Sequence, residues 1–387
     1  MNSAAKNRLR IGIIFNFRKG WMGGIIYVIN LVNALNFLED KDQPEIIVFY
    51  NKDLENFTKE MQYPFLKLIP WEFTGFYKGY LMTWFTRKNV FADEFITRYH
   101  LDGLYPINDR PIASNKRLTG GATIAAWIPD LQHKFYPHFF GRKRTFLREQ
   151  RIKLLLSNTK DLVVSSHDVE GHFRKFYRIK KDLRIHVLQF VSIIKEFSFG
   201  NADELFEKYK LPPVYFMVSN QFTNHKNHLV ILKALQLLKS RGSQVHVVFT
   251  GKMEFKGNEA YIKRIRTMVA ENALENCTSF LGVIPRQDQL CLMKHARAIV
   301  QPSLFEGWST VIEDAISLQV PVIASDLPVN IEHLGDKGTF FKRHSEQELA
   351  DILAAFPSHN GSNIYEQYED RINRYGKAFL KIFAPQS

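Results

Sequence analysis

At 387 residues, 45% of them hydrophobic, the chain has an ordinary globular composition but exceeds what one hydrophobic core usually organises, so two domains are expected. Its two cysteines, Cys277 and Cys291, form no C-x-x-C pair, which suggests neither a disulfide framework nor a zinc site and points to a reducing compartment. The formal net charge of +13 favours phosphate-rich partners, yet no recognised nucleic-acid motif accompanies it, and no apolar run approaches the ~18 residues of a membrane span.

In chain order, the basic start Met1 to Arg10 precedes Ile11 to Phe17, too short for a signal segment with a cleavage site, so a soluble, cytoplasmic chain is expected. Arg10 to Phe17 reads as the opening strand. Gly20-Trp-Met-Gly-Gly24 then joins it to a helix expected to begin near Ile25. Glycines there allow positive φ and close backbone approach to a ligand, which makes Gly23 and Gly24 candidates; a tight turn without ligand is the alternative. Glu45 to Tyr50 is the next strand. The segment Tyr63 to Arg98 holds Trp71, Phe73, Phe76, Tyr77, Tyr80, Trp84 and Phe85 together with Lys67, Lys78, Arg87 and Lys88, without clean periodicity. It reads as an irregular excursion facing an acceptor or an anionic membrane, or else as an aromatic core under a long insertion. Ala122 to Trp127 is a strand leading into Trp127-Ile-Pro-Asp-Leu-Gln-His-Lys134, where Asp130 and His133 can bind sugar hydroxyls; a surface histidine is the alternative. The basic run Arg142, Lys143, Arg144, Arg148, Arg151 and Lys153 follows along an expected helix, by default as a solvated face. Asp161 to Ser165 and Arg184 to Gln189 close the first series of strands.

Phe197 to Ala202 is a joint carrying Ser, Gly and Asn, which sets a boundary near residue 195 between domains 1–195 and 196–362. A second series follows: Val214 to Ser219, Gln244 to Thr250, Thr278 to Gly282, Arg297 to Gln301 and Val320 to Ala324. Alternation of strands with helical patterns predicts doubly wound parallel sheets. Ser219-Asn-Gln-Phe-Thr-Asn-His-Lys-Asn-His228 comes directly after the first strand of this series. A lysine there can place its ammonium on a diphosphate while the next helix opens toward the same anion, so Lys226 is a candidate and a solvent lysine the alternative. His225 and His228 read as capping or surface residues. In Pro302-Ser-Leu-Phe-Glu-Gly-Trp-Ser-Thr-Val-Ile-Glu-Asp-Ala315, Glu306 lies in the loop after a strand, and Ser309 and Thr310 lie at a helix opening. Asp314 follows about one turn later. Each of the two carboxylates can clamp a pair of vicinal hydroxyls, one on a sugar and one on a ribose. Ser303-x-x-Glu306 and Thr310-x-x-Glu313 also fit capping boxes, the preferred reading for Glu313 only. A final helix, Asn363 to Phe383, has Tyr365, Tyr368, Ile372, Tyr375, Phe379 and Phe383 at helical spacing.

The stretch from Glu306 to Asp314 resembles the E-x7-E signature of glycosyltransferase family 4, a large group of GT-B, mostly retaining, nucleotide-sugar enzymes. Val-Pro-Val-Ile-Ala-Ser-Asp326 resembles that family's next strand and turn. The second motif acid falls on Asp314, one methylene shorter than the family's glutamate. The loop ending in Lys226 resembles the family's Gly-Arg-x5-Lys, with Asn220 in the arginine's place, so a diphosphate would rest more on Lys226 and backbone donors. By the same resemblance, Gly23 and Gly24 match a glycine loop over the donor phosphate. Asp130 matches the aspartate of a His-Asp motif, with His133 as a displaced substitute.

The resemblance implies an α/β GT-B fold of two Rossmann-like doubly wound domains facing a central cleft, with the terminal helix, about 363–383, packed back on the first. It implies a donor site of Gly23, Gly24, Asn220, Lys226, Glu306, Gly307, Ser309, Thr310 and Asp314, and catalytic roles for Glu306, Lys226, Asp130 and His133. The implied reaction moves a hexosyl or deoxyhexosyl group, rhamnose among them, from a nucleotide-diphosphate sugar to a saccharide or lipid-linked acceptor with retention. Bacterial surface-polysaccharide assembly is the implied setting; peripheral contact at an anionic membrane is expected from the aromatic and basic segment Tyr63 to Arg98 and the net charge. No D-x-D stands at a strand end, so neither a metal nor a further cofactor is expected. The alternatives are a sugar-nucleotide epimerase or hydrolase on the same fold, and a catalytically silent binding protein.

Overall fold

Apolar runs such as Ile11–Phe15 and Val247–Phe249 are buried along their whole length, as strands are when helices cover both faces of a sheet. The structure is a computed structural model and describes residues 8–86, 89–107, 121–194, 201–255, 257–357 and 364–384. The chain divides into two units, Met1–Ile193 with Tyr368–Ser387, and Ile194–Gln367.

The first unit is built on β1 (Arg10–Phe15), β2 (Glu45–Tyr50), β3 (Leu66–Pro70), β4 (Gly103–Ile107), β5 (Thr123–Trp127), β6 (Asp161–Val164) and β7 (Arg184–Val187). All pair in parallel in the order β3-β2-β1-β4-β5-β6-β7. Helix Tyr368–Lys381 follows the second unit in sequence but packs in the first. Its Phe379 ring lies 5.6 Å from that of Tyr105, and the Asn373 amide donates to the Phe37 carbonyl at 2.6 Å. Just beyond it, the Phe383 ring occupies the space that a Cβ on Gly103 would need, at 2.2 Å, so β4 requires glycine there.

The second unit carries β8 (Phe216–Ser219), β9 (Val247–Thr250), β10 (Thr278–Gly282), β11 (Ile299–Gln301), β12 (Val322–Ser325) and β13 (Thr339–Phe341). They too are parallel, in the order β10-β9-β8-β11-β12-β13. Gly251, at the end of β9, has φ +130°, and a Cβ there would come within 2.2 Å of the Asn220 carbonyl oxygen. That close approach lets the chain after β9 run against the chain after β8.

Three strands escape the sequence pattern. β3 is an edge strand with exposed Lys67 and a terminal proline, β4 combines Gly103 with Pro106, and β13 has three residues. The segment from Tyr63 to Arg98, which the sequence reads as irregular, is regular in part, through β3, residues 76–86 and helix Asp93–Tyr99. Tyr63 is buried, Trp71 and Phe73 pack against the first unit's core, and residues Phe76–Thr86 form a helix. The last helix begins at Tyr368, since the chain from 364 to 367 is irregular. Arg87, Lys88, most of the joint at 197–202, and Asn363 lie outside the described residues.

Candidate functional site

In the second sheet β8 and β11 are neighbours, and the strand order runs outward from them in opposite directions. The loops leaving their carboxyl ends therefore diverge and open a crevice at the switch point, where α/β sheets hold ligands. Both strongest sequence motifs sit on these two loops, which are stitched together. The Leu304 amide donates to the His225 carbonyl at 2.7 Å, and the Asn227 side-chain amide donates to the carbonyls of Pro302 at 3.2 Å and Arg343 at 2.9 Å. Asn227 adopts the left-handed conformation (φ +53°), which turns the chain sharply into helix His228–Ser240 and leaves Lys226 at the bend.

The Lys226 ammonium donates to Oε1 of Glu306 at 2.5 Å, with the two side chains 18% and 10% exposed. Gln301, the fully buried last residue of β11, donates its amide to the same Oε1 at 2.9 Å and to the Ser309 hydroxyl oxygen at 3.0 Å. The side-chain oxygen Oε1 of Gln301 in turn accepts from the Asn220 side-chain amide at 2.7 Å. Asn220, Gln301, Ser309, Lys226 and Glu306 thus form one connected network, in which Asn220 acts through Gln301. Oε1 of Glu306 is held twice, which leaves Oε2 to receive a donor from elsewhere. Ser309 caps helix Thr310–Ser317 by accepting from the Ile312 amide at 3.3 Å, Thr310 opens the helix half-buried, and Gly307 lies buried beside Glu306.

Neither capping-box reading survives. Ser309, not Thr310, is the cap, and the carboxylate of Glu313 turns away from the helix start to accept from His333 Nε2 at 2.6 Å and from the Trp308 indole at 3.3 Å. The Trp308 and His333 rings stack 3.7 Å apart. Asp314, next to Glu313 in the chain, has both carboxylate oxygens on the Arg286 guanidinium, at 2.5 and 2.8 Å. Any ribose contact by Asp314 would share those oxygens with Arg286.

His228 is neither a cap nor a surface residue. It is buried, its ring lies 4.2 Å from that of Phe222 in a stack, and its own amide and Nδ1 face the Tyr261 hydroxyl. Burial, reinforced by the Lys226 charge, pulls its pKa from 6.5 down to about 3. The folded state therefore keeps this imidazole neutral where the unfolded chain would protonate it. Its contribution is complete above pH 6.5 and is lost as pH falls toward 3, at about 1.4 kcal/mol per pH unit within that window. Thermal unfolding followed from pH 7 to 4 is expected to show this acid limb, and His228→Phe to flatten it.

The remaining candidates belong to the first unit. Gly23 and Gly24 do not form a turn with positive φ, because helix Met22–Ala34 already includes them. Gly24 is needed for a different reason. A Cβ there would sit 2.8 Å from the Trp21 ring, which stacks on Trp127 with centroids 5.6 Å apart. Asp130 is partly exposed, accepts from the Gln132 amide at 2.9 Å and lies 3.6 Å from the Arg148 guanidinium. His133 is not at the surface. It is enclosed by the first unit, with Nε2 3.3 Å from Glu149, and burial and the neighbouring Arg148 hold its pKa below the usual histidine value. Nε2 of this enclosed imidazole faces the Glu149 carboxylate, which also accepts from the Tyr177 hydroxyl at 2.8 Å.

The structure adds residues that the sequence reading passed over. Gln301 had one available signal, a lone amide closing the apolar run Ala298–Val300; Arg286 and His333 had none, since their partners arrive from distant elements. Among the described residues, no group of three or more His, Cys, Asp or Glu is placed to hold a metal ion.

Residues 201–378 match the family described as glycosyl transferases group 1. The O-antigen chain mannosyltransferase RfbU of Salmonella typhimurium is 23% identical over 265 residues, 68% of this chain and 65% of that protein. A GDP-mannose:cellobiosyl-diphosphopolyprenol alpha-mannosyltransferase of Xanthomonas campestris is 31% identical over 134 residues, 34% of each chain. The chain thus spans less than two thirds of these relatives' lengths. Among solved structures, HepE of Anabaena in complex with UDP and glucose is 17% identical, with a TM-score of 0.66 over 96% of this chain and 99% of that one. This likeness shows the fold, GT-B.

Proposed function

We propose that this chain is a retaining glycosyltransferase, moving a hexosyl or deoxyhexosyl group from a nucleotide-diphosphate sugar to a saccharide or lipid-linked acceptor in surface-polysaccharide or glycoconjugate synthesis. The observation that carries the reading is the Lys226–Glu306 pair, set on the two loops that diverge from β8 and β11 beside the opening of helix Thr310–Ser317. In this reading the diphosphate takes the Lys226 ammonium and the helix amides, and Oε2 of Glu306 accepts from a sugar hydroxyl. The bond from the anomeric carbon to the diphosphate breaks with its electron pair leaving on the diphosphate oxygen. The acceptor oxygen bonds to the same face of the sugar, and its proton passes to the departing diphosphate. Charge grows on that oxygen only as the bond breaks, so a fixed cation beside it lowers the barrier without a metal. The first unit is assigned the acceptor, with partly exposed Asp130 to meet it. The reaction is assigned to the cytoplasmic face of the plasma membrane. Relatives named as mannosyltransferases make GDP-mannose the first donor to try and UDP-sugars the next.

A thermal-shift panel of GDP-, UDP-, ADP- and dTDP-sugars tests the reading. One nucleotide is expected to raise stability by about 2.7 kcal/mol at roughly 100 times its Kd, and Glu306→Gln to remove the shift. No shift with any donor, together with no transfer product, would overturn it, and an inverted linkage in the product would overturn retention alone.

A further inference from the structure

Helix Phe76–Thr86 of the first unit is turned the wrong way round for a soluble protein. It rests on the unit through its smallest residues. A Cβ on Gly79 would meet the Phe91 ring at 2.5 Å, and Thr83 is buried, with its hydroxyl donating to the Gly79 carbonyl at 2.7 Å. The large apolar side chains point out instead: Tyr77 is 70% exposed, Tyr80 37%, Leu81 57%, Met82 41%, Trp84 71% and Phe85 69%. Positions 77, 80, 81, 84 and 85 follow the i, i+3, i+4, i+7, i+8 rule, so they share one face. At about 100 Å² each they expose on the order of 500 Å² of contiguous apolar surface, the size at which a patch marks an interaction site.

The surrounding charge selects the occupant. From Phe73 to Ala92 the sequence has no Asp or Glu and three cations, Lys78, Arg87 and Lys88, within a chain of net charge +13. Trp and Tyr beside Lys and Arg are the residues that settle at the boundary between lipid headgroups and acyl chains. An 11-residue helix is roughly 16 Å long, about half the ~30 Å hydrocarbon core, and no described helix is long and apolar enough to cross a membrane. We propose that this face docks the protein on an anionic lipid bilayer, with the helix lying in the membrane plane, Leu81, Trp84 and Phe85 inserted below the headgroups, and Lys78 at the phosphate level. The docking is independent of the chemistry of transfer: its failure would remove the assignment to the membrane face and leave the donor site untouched.

The test is sedimentation of the full chain with phosphatidylcholine vesicles with and without phosphatidylglycerol. Wild type is expected to pellet with the anionic vesicles and much less with the neutral ones. The triple variant Leu81→Ser, Trp84→Ser, Phe85→Ser is expected to bind at least tenfold less at an unchanged Tm, because these side chains are exposed; Lys78→Glu is expected to weaken binding several-fold. If the triple variant does not fold, Trp84→Ser alone, with brominated lipids quenching Trp84 in the wild type, gives the same reading. Equal pelleting of wild type and triple variant, or no pelleting of either, would overturn the proposal. So would loss of pelleting only in Arg142→Glu with Arg144→Glu, or light scattering that shows a wild-type dimer dissociated by the triple variant, in which case a second copy covers the face.

Discussion

Replacing Lys226 by alanine is expected to lower kcat by about 10²–10³-fold, roughly 3–4 kcal/mol of transition-state stabilisation, with a smaller change in the donor's KM. The asymmetry follows from when the charge appears. The ground-state diphosphate can also be met by helix amides, whereas the extra negative charge on the leaving oxygen develops only as the sugar departs. The substitution also strands Glu306, whose side chain is 10% exposed and would keep only the Gln301 amide on Oε1. Lys226→Ala is therefore expected to lower Tm, and the double variant with Glu306→Gln to recover part of the loss. A double-mutant cycle on Tm separates this pairing from the kinetic effect. Near wild-type turnover in Lys226→Ala would remove Lys226 from the mechanism, and additive Tm losses would mean that the two charges do not support one another.

His333→Phe is expected to destabilise the second unit by about 3–5 kcal/mol, the largest stability effect foreseen for one substitution in this protein. Phenylalanine can keep the stack on Trp308 but removes the Nε2 that faces Glu313 at 2.6 Å. The Glu313 and His333 side chains are each 2% exposed, so water cannot replace the lost partner. Glu313→Gln should cost less, about 1 kcal/mol, because an amide left with an imperfect partner carries no net charge. Denaturant unfolding of the two variants checks the order. A cost for His333→Phe no greater than that of Glu313→Gln would mean that the carboxylate is not held as an ion. Trp308 is two residues from Glu306 and bonded to Glu313, so the same substitution is expected to raise the donor's KM by loosening the loop that carries Glu306.

Both effects act at places where the sequence reading and the structure meet unevenly. Ten of the thirteen described strands, the parallel class and the two loops with Lys226 and Glu306 are legible because they are local: each of these strands is a short run of apolar residues, and each loop follows one. The composition of the loop marks Gly23 and Gly24, but helix Met22–Ala34 includes both, and the Trp21 ring rather than a positive φ crowds a larger side chain at 24. The spacing to Thr310 permits Glu313 a local capping role; His333, 20 residues downstream, takes the carboxylate instead. His133 stands as a site candidate with a surface histidine as the alternative; packing against the helix that carries Glu149 rules out the surface alternative.

Hydrophobic period and turn residues act over a few positions, and they set the alternation of strands and helices, two units' worth of core, and the residue types at the second unit's switch point. Folding selects which side chains those residues address: Asn220 on Gln301, Gln301 on Glu306, Arg286 on Asp314 and His333 on Glu313. It also decides that the helix at 76–86 rests on Gly79 and Thr83 and leaves its aromatic face to solvent. The physical reason is the same in each case. A buried polar group must find a partner and a helix must choose a face, and the groups that settle both choices are brought together from distant parts of the chain by folding.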